Sequence, residues 1–218
     1  MSKKKEVSML QMILTVLYVC SYMIANIITA KQVQFPFGIT MTGAVFIFPI
    51  TYILSDVFSE VYGYKWSRIT CYLAFIFQVF MALIFAGTIA TPAPSYWANQ
   101  EAYEIVLGGT PRILAASFTA FVLGDFINDK VFKKFKEKHP NDHKGFGFRA
   151  ILSSFCGELV DSFVFLPLAF LGTMPLQNLW VMTLIQVFIK TGYEVVILPI
   201  TRIVVKKISK NEARYLSI

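Results

Sequence analysis

The stretch FRAILSSFCGELVDSFVFLPLAFL, Phe148–Leu171, carries charge only at Arg149, near its start, and at Glu158 and Asp161 in its middle. It exceeds the roughly 20 mostly apolar residues with which a helix crosses a hydrocarbon core about 30 Å thick. The stretch therefore reads as a membrane-spanning helix that holds two carboxylates. Working outward, five further segments meet the same criterion: Met9–Ile28, Ile39–Tyr62, Ile69–Ala90, Ile113–Val131 and Asn178–Val205. The composition agrees. Of 218 residues 56% are hydrophobic and only 15% charged, and the mean hydropathy is +0.61, which is outside the range of soluble domains. The expectation is an all-α, multi-pass integral membrane protein with six transmembrane helices, residues 1–218 forming one transmembrane domain.

The first segment follows Lys3, Lys4 and Lys5 and has the outline of a secretory signal. Its apolar run is too long and no clear A-x-A cleavage site follows, so it reads as an uncleaved first span.

A formal charge of +7 would raise nucleic-acid binding in a soluble chain. Here the cationic residues are sorted by membrane side. With the N-terminus inside, the cytoplasmic segments hold Lys3, Lys4, Lys5, Lys65, Arg68, the Lys130–Arg149 group, Arg202, Lys206, Lys207, Lys210 and Arg214. That is 17 of the 20 Lys and Arg, leaving Lys31 and Arg112 outside and Lys190 within a span. Cationic loops stay cytoplasmic, so both termini are expected there. The basic stretch KVFKKFKEKHPNDHK, Lys130–Lys144, reads on the same ground as the topology-setting loop beside membrane lipid, not as a nucleic-acid patch. His139 and His143 lie in it without a ligand set around them. Cys20, Cys71 and Cys156 lie in apolar stretches without CxxC or Cys/His spacing, so they read as buried thiols, with neither a disulfide framework nor a zinc site. No metal and no cofactor is expected.

Punctuation fits this map. Pro36-Phe37-Gly38 separates the first two spans, Gly63 can end the second helix, and Thr91–Arg112 is an outer connection long enough to fold back at headgroup level with Tyr96, Trp97 and Tyr103.

Ionisable residues in hydrocarbon cost several kcal/mol each and mark functional sites with partners. Asp56 and Glu60 end the second span, Asp125 and Asp129 end the fourth, Glu158 and Asp161 lie within the fifth, and Lys190 and Glu194 within the sixth. Each pair, three or four residues apart, shares one helix face. From Phe148, Glu158 is roughly 15 Å deep and Asp161 about 20 Å deep at the helical rise. From Arg202, Glu194 is about 12 Å deep and Lys190 about 18 Å deep by the same rise. An isolated ammonium at that depth would lose its proton or fail to insert, so Lys190 is expected to pair with Asp161 or Glu158 across two helices. The bland alternative is interhelical glue. Against it, three carboxylates to one amine leave an acidic excess near the midplane, which a bound substrate or a transported proton would offset.

Asp125 and Asp129 are expected to pair with Lys130, Lys133 or Lys134. Tyr52, Asp56 and Glu60 form an i, i+4, i+8 stripe beneath Pro49, where a broken or kinked helix would expose a carbonyl to cargo. Tyr18, Tyr22 and Asn26 form a comparable stripe on the first span, with ordinary packing and a helix-bridging hydrogen bond as the bland readings. Six spans with both ends inside divide into two oppositely oriented halves, as in 3+3 inverted-repeat carriers. SDVFSEV at Ser55–Val61 and GELVDSF at Gly157–Phe163 are a thin internal echo of that kind.

ITYILSDVFSEVYGY at Ile50–Tyr64, GELVDSFVF at Gly157–Phe165, KTGYEVVILPIT at Lys190–Thr201 and ANIITAK at Ala25–Lys31 together resemble the vitamin uptake transporter family, in particular its queuosine precursor transporters. The resemblance spans nearly the whole chain. It implies a bacterial inner-membrane importer of 7-deazaguanine bases, 7-cyano-7-deazaguanine and its aminomethyl relative, salvaged into tRNA queuosine. It leaves open queuine or the nucleoside as cargo, the energy coupling and the oligomeric state. Within that reading Asn26, Asp56, Glu60, Glu158, Asp161, Lys190 and Glu194 are the candidate substrate-binding residues, with a coupling proton on Glu158, Asp161 or Glu194. Glu158 or Glu194 can accept the base's N1–H and amine together, and Asn26 can read its carbonyl edge.

A second class is the substrate-binding membrane subunit of an energy-coupling-factor importer, which needs a separate ATPase module. The small-residue AxxxA docking pattern of such subunits is missing from Met9–Ile28, which counts against it. An enzyme is not expected, since no GxSxG, HExxH, P-loop or comparable set occurs.

Overall fold

The computed structural model describes residues 7–138 and 146–216. Among the described residues there are seven α-helices: α1 Met9–Thr29, α2 Phe48–Val57, α3 Tyr64–Ala90, α4 Gln100–Leu107, α5 Thr110–Lys138, α6 Phe146–Phe170 and α7 Leu176–Leu216. A two-stranded sheet, β1 Gln32–Gln34 and β2 Thr40–Thr42, departs from the all-α expectation. Its connection turns at Phe37 and Gly38, both at positive φ (65° and 74°), within the Pro36-Phe37-Gly38 break. Among the described residues five helical segments, not the six expected, are long and apolar enough to cross a membrane: Met9–Thr29, Tyr64–Ala90, Gln100–Asn128, Leu152–Phe170 and Leu176–Ala213. The protein is a multi-pass membrane protein.

The expected second span, Ile39–Tyr62, is not one helix. It consists of β2, a 3-10 turn over Gly43–Phe46, the ten-residue α2 and a π-helical turn over Phe58–Tyr62. Two residues account for this. Gly43 approaches the backbone carbonyl of Ile28 so closely that no Cβ could fit, and its N–H donates to the Lys31 carbonyl at 2.8 Å. Pro49 lies in the first turn of α2, where its missing N–H costs no helical hydrogen bond. Pro49 thus starts this helix and does not kink it. The π turn adds a residue to the last turn, so Tyr52, Asp56 and Glu60 do not continue as one stripe. Gly63, at φ 82°, ends the segment as its position suggested.

The chain forms two compact units, one of 1–31, 42–108 and 193–218, the other of 32–41 and 109–192. In the first, Tyr18 and Val19 of α1, Leu54 and Val57 of α2, Phe58, Val61 and Tyr62 of the π turn, and Ala74 of α3 form the apolar core. Tyr18 meets Phe58 edge-on, with ring centroids 5.8 Å apart, the favoured aromatic arrangement. The connection after α3 contains α4, as its length allowed, with Tyr96 exposed and Trp97 half exposed.

In the second unit α5 and α6 form an antiparallel pair with glycine at the contact. A Cβ on Gly124 would lie 3.0 Å from the Gly157 carbonyl oxygen, and one on Gly157 would lie 3.0 Å from that of Gly124. Small residues give membrane helices such backbone approach, where dispersion replaces the hydrophobic drive. Arg112 on α5 donates to the Leu168 and Leu171 carbonyls, both at 2.7 Å, and so satisfies acceptors at the C-terminal end of α6. Gly172 at φ 85° turns the chain into α7.

Candidate functional site

Glu158 and Asp161 lie three residues apart on α6, so one face presents both carboxylates. Lys190 of α7 lies opposite. Its ammonium is ion-paired with Asp161 and stands 3.0 Å from Glu158 Oε2, with only 7% of the residue exposed. The pairing expected from depth along the two spans is the pairing found. The position of Asp161 is set by the helix contact: a Cβ on Gly124 would come within 3.2 Å of the Asp161 Cβ, so a larger residue there would press on the carboxylate's base. Two carboxylates around one ammonium leave one net negative charge in an apolar surround, suited to a cationic or donor-rich guest.

Glu158, Asp161 and Lys190 all belong to the second compact unit, whereas Asn26, Asp56, Glu60 and Glu194 belong to the first. Asn26 is buried on α1 and donates its amide to Gln78 of α3, which in turn donates to the Ala74 carbonyl at 3.1 Å. Its donor is therefore used in the helix-bridging role that was the bland reading of this residue. Asp56 and Glu60 are exposed, and Glu194 is partly buried one turn beyond Lys190 on α7. Of the remaining sequence candidates, His139 and His143 lie outside the described residues. Among the described residues no group of three or more His, Cys, Asp or Glu could hold a metal ion.

Sequence reasoning passed over Gln186 and Ser162. Both are 0% exposed, and among the described residues neither the Gln186 amide nor the Ser162 hydroxyl has a hydrogen-bond partner. The signal was present: Gln186 precedes Lys190 by four residues and interrupts an apolar helix as it does.

The Asn26–Gln78 bridge yields a prediction for the first unit. Asn26→Ala should lower stability by about 1–3 kcal/mol, because the side-chain oxygen of Gln78, a residue only 1% exposed, then loses its donor. Replacing both by leucine should recover most of that loss. Thermal unfolding of the two variants in detergent decides it; equal loss in both would show that the bridge carries no net stability.

Residues 42–204 match the family model described as "Putative vitamin uptake transporter". The chain is also 26% identical over 189 residues to a Bacillus subtilis (strain 168) protein called "Probable queuosine precursor transporter", covering 86% of this chain and 81% of that one. No solved structure matches it.

Proposed function

The chain belongs to the vitamin uptake transporter family, and from that premise we propose that it imports queuosine precursors across the bacterial inner membrane for salvage into tRNA queuosine. The cargo is a 7-deazaguanine base such as 7-cyano-7-deazaguanine or its aminomethyl relative. In this reading residues 1–218 act as one transporter domain with both termini cytoplasmic, supported by the 17 of 20 cationic residues in the segments on that side. The name of the Bacillus subtilis relative supports the substrate class.

The observation that carries the proposal is the ion-paired Glu158–Asp161–Lys190 cluster around a buried ammonium. A guanine-type edge presents N1–H beside an exocyclic amine, and one carboxylate accepts both in bidentate fashion. The Lys190 ammonium supplies both carboxylates with a counter-charge within the span. An aminomethyl substituent is itself cationic and offsets the surplus negative charge. The same carboxylates are the groups able to take up a coupling proton when cargo leaves.

Labelled 7-cyano-7-deazaguanine supplied to cells that make no precursor tests this, with the chain as the only added protein and tRNA queuosine as readout. Restored queuosine is the expected result, and its absence overturns the substrate. Restoration that required a separate ATPase module would instead identify an energy-coupling-factor subunit.

A further inference from the structure

Gln186 is enclosed by protein, yet both polar atoms of its amide lack a partner among the described residues. Burying an amide that way is costly against a partnered one. Leucine or methionine would fill a similar volume without that cost. Its position is informative. Asn178, Met182, Gln186 and Lys190 follow one another at four-residue spacing on α7, which keeps them on one side of the helix over these turns. Gln186 thus stands one turn, about 6 Å, from the Lys190 ammonium's residue. One turn the other way, Met182 and Asn178 help line a cavity of about 270 Å³ whose other polar lining is Gln32, Gln34 and Thr40. Ser162, its hydroxyl also buried without a partner, directly follows Asp161 on α6. An unpartnered carboxamide therefore sits between the ion-paired cluster and a polar cavity, all within the second compact unit.

A carboxamide offers one donor and one acceptor side by side, so it pairs with a ligand edge of opposite pattern. Once a carboxylate has taken N1–H and the exocyclic amine of a 7-deazaguanine, the adjoining edge is N3, an acceptor, beside N9–H, a donor. That edge complements a glutamine amide. N9 carries the sugar in a nucleoside and a hydrogen only in the free base. We infer that Gln186 reads the N3/N9–H edge of the cargo and so selects free bases over nucleosides and other N9-substituted forms. The inference rests on the deazaguanine reading above and adds the residue that sets its specificity.

The test compares wild type, Gln186→Leu and Gln186→Met for uptake of labelled 7-cyano-7-deazaguanine. The competitors are the unlabelled base and its 9-methyl derivative, and thermal unfolding is measured in parallel. For wild type the 9-methyl compound should compete at least tenfold more weakly than the base. In both variants the KM for the base should rise at least tenfold, the ratio between competitors should fall toward one, and the unfolding temperature should hold or increase. A variant that keeps the wild-type competitor ratio overturns the inference, because the discrimination is then steric and not made by Gln186. Loss of folded protein in both variants also overturns it, since the amide would then be structural. Wild type that takes up no base at all would instead defeat the deazaguanine reading.

Discussion

Lys190→Met should abolish uptake and destabilise the protein, since it leaves Glu158 and Asp161 facing each other without their counter-charge. Removing one partner from a buried ion pair typically costs about 3–5 kcal/mol, because the other charge remains desolvated. Lys190 is 7% exposed, but the Asp161 side chain is 25% exposed and that of Glu158 17%, so a loss near the lower figure, about 3 kcal/mol, is expected. The triple change Lys190→Met, Glu158→Gln, Asp161→Asn removes every charge at once and should recover much of the stability without recovering transport. That separation is the decisive feature, measured as thermal unfolding in detergent beside uptake in cells. If the triple variant transported normally, the cluster would be interhelical glue alone. If Lys190→Met were as stable as wild type, the ion-paired cluster would carry no net stability.

Gly157→Leu is expected to have an effect of similar size through packing alone. At this position a Cβ would lie 3.0 Å from the Gly124 carbonyl oxygen and 3.0 Å from the Asn128 Cβ. A backbone oxygen cannot rotate away as a side chain can, so α5 and α6 must separate. Alanine should cost about 1–3 kcal/mol, the usual range for overpacking, and leucine should exceed that and leave little folded protein. Because Gly157 immediately precedes Glu158, Gly157→Ala should also reduce uptake by more than its stability loss accounts for. Folded yield after detergent extraction and uptake normalised to it are the measurements; a leucine variant of wild-type yield would show that the helices do not meet here as tightly as the backbone indicates.

The parts of this protein that were legible beforehand share a cause. A charged group in hydrocarbon has few admissible states, so counting helical rise from two ends of a span was enough to bring Lys190 to the level of Glu158 and Asp161. Gly63 and the Pro36-Phe37-Gly38 turn were readable because their backbone preferences are intrinsic to the residues. The second span was misread for a complementary reason. Hydropathy registers Ile39–Tyr62 as apolar throughout, but it is blind to the approach of Gly43 to the Ile28 carbonyl and to Pro49 standing at a helix start. Asn26 was a sound candidate by type, and only the position of Gln78 on another helix shows where its donor goes. Gln186 escaped notice because a neutral amide leaves no charge imbalance in a count, although burial without a partner makes it more costly than many charges at a surface.

The membrane as solvent and the identity of the residues able to carry charge into it follow from the sequence itself, because hydropathy and charge are properties each residue brings wherever it lies. Which polar groups are matched and which are left wanting was decided only by the tertiary structure. Satisfaction is a relation between helix faces, and it is the contact of α5 with α6 through two glycines, and the reach of Lys190 from α7, that produce it.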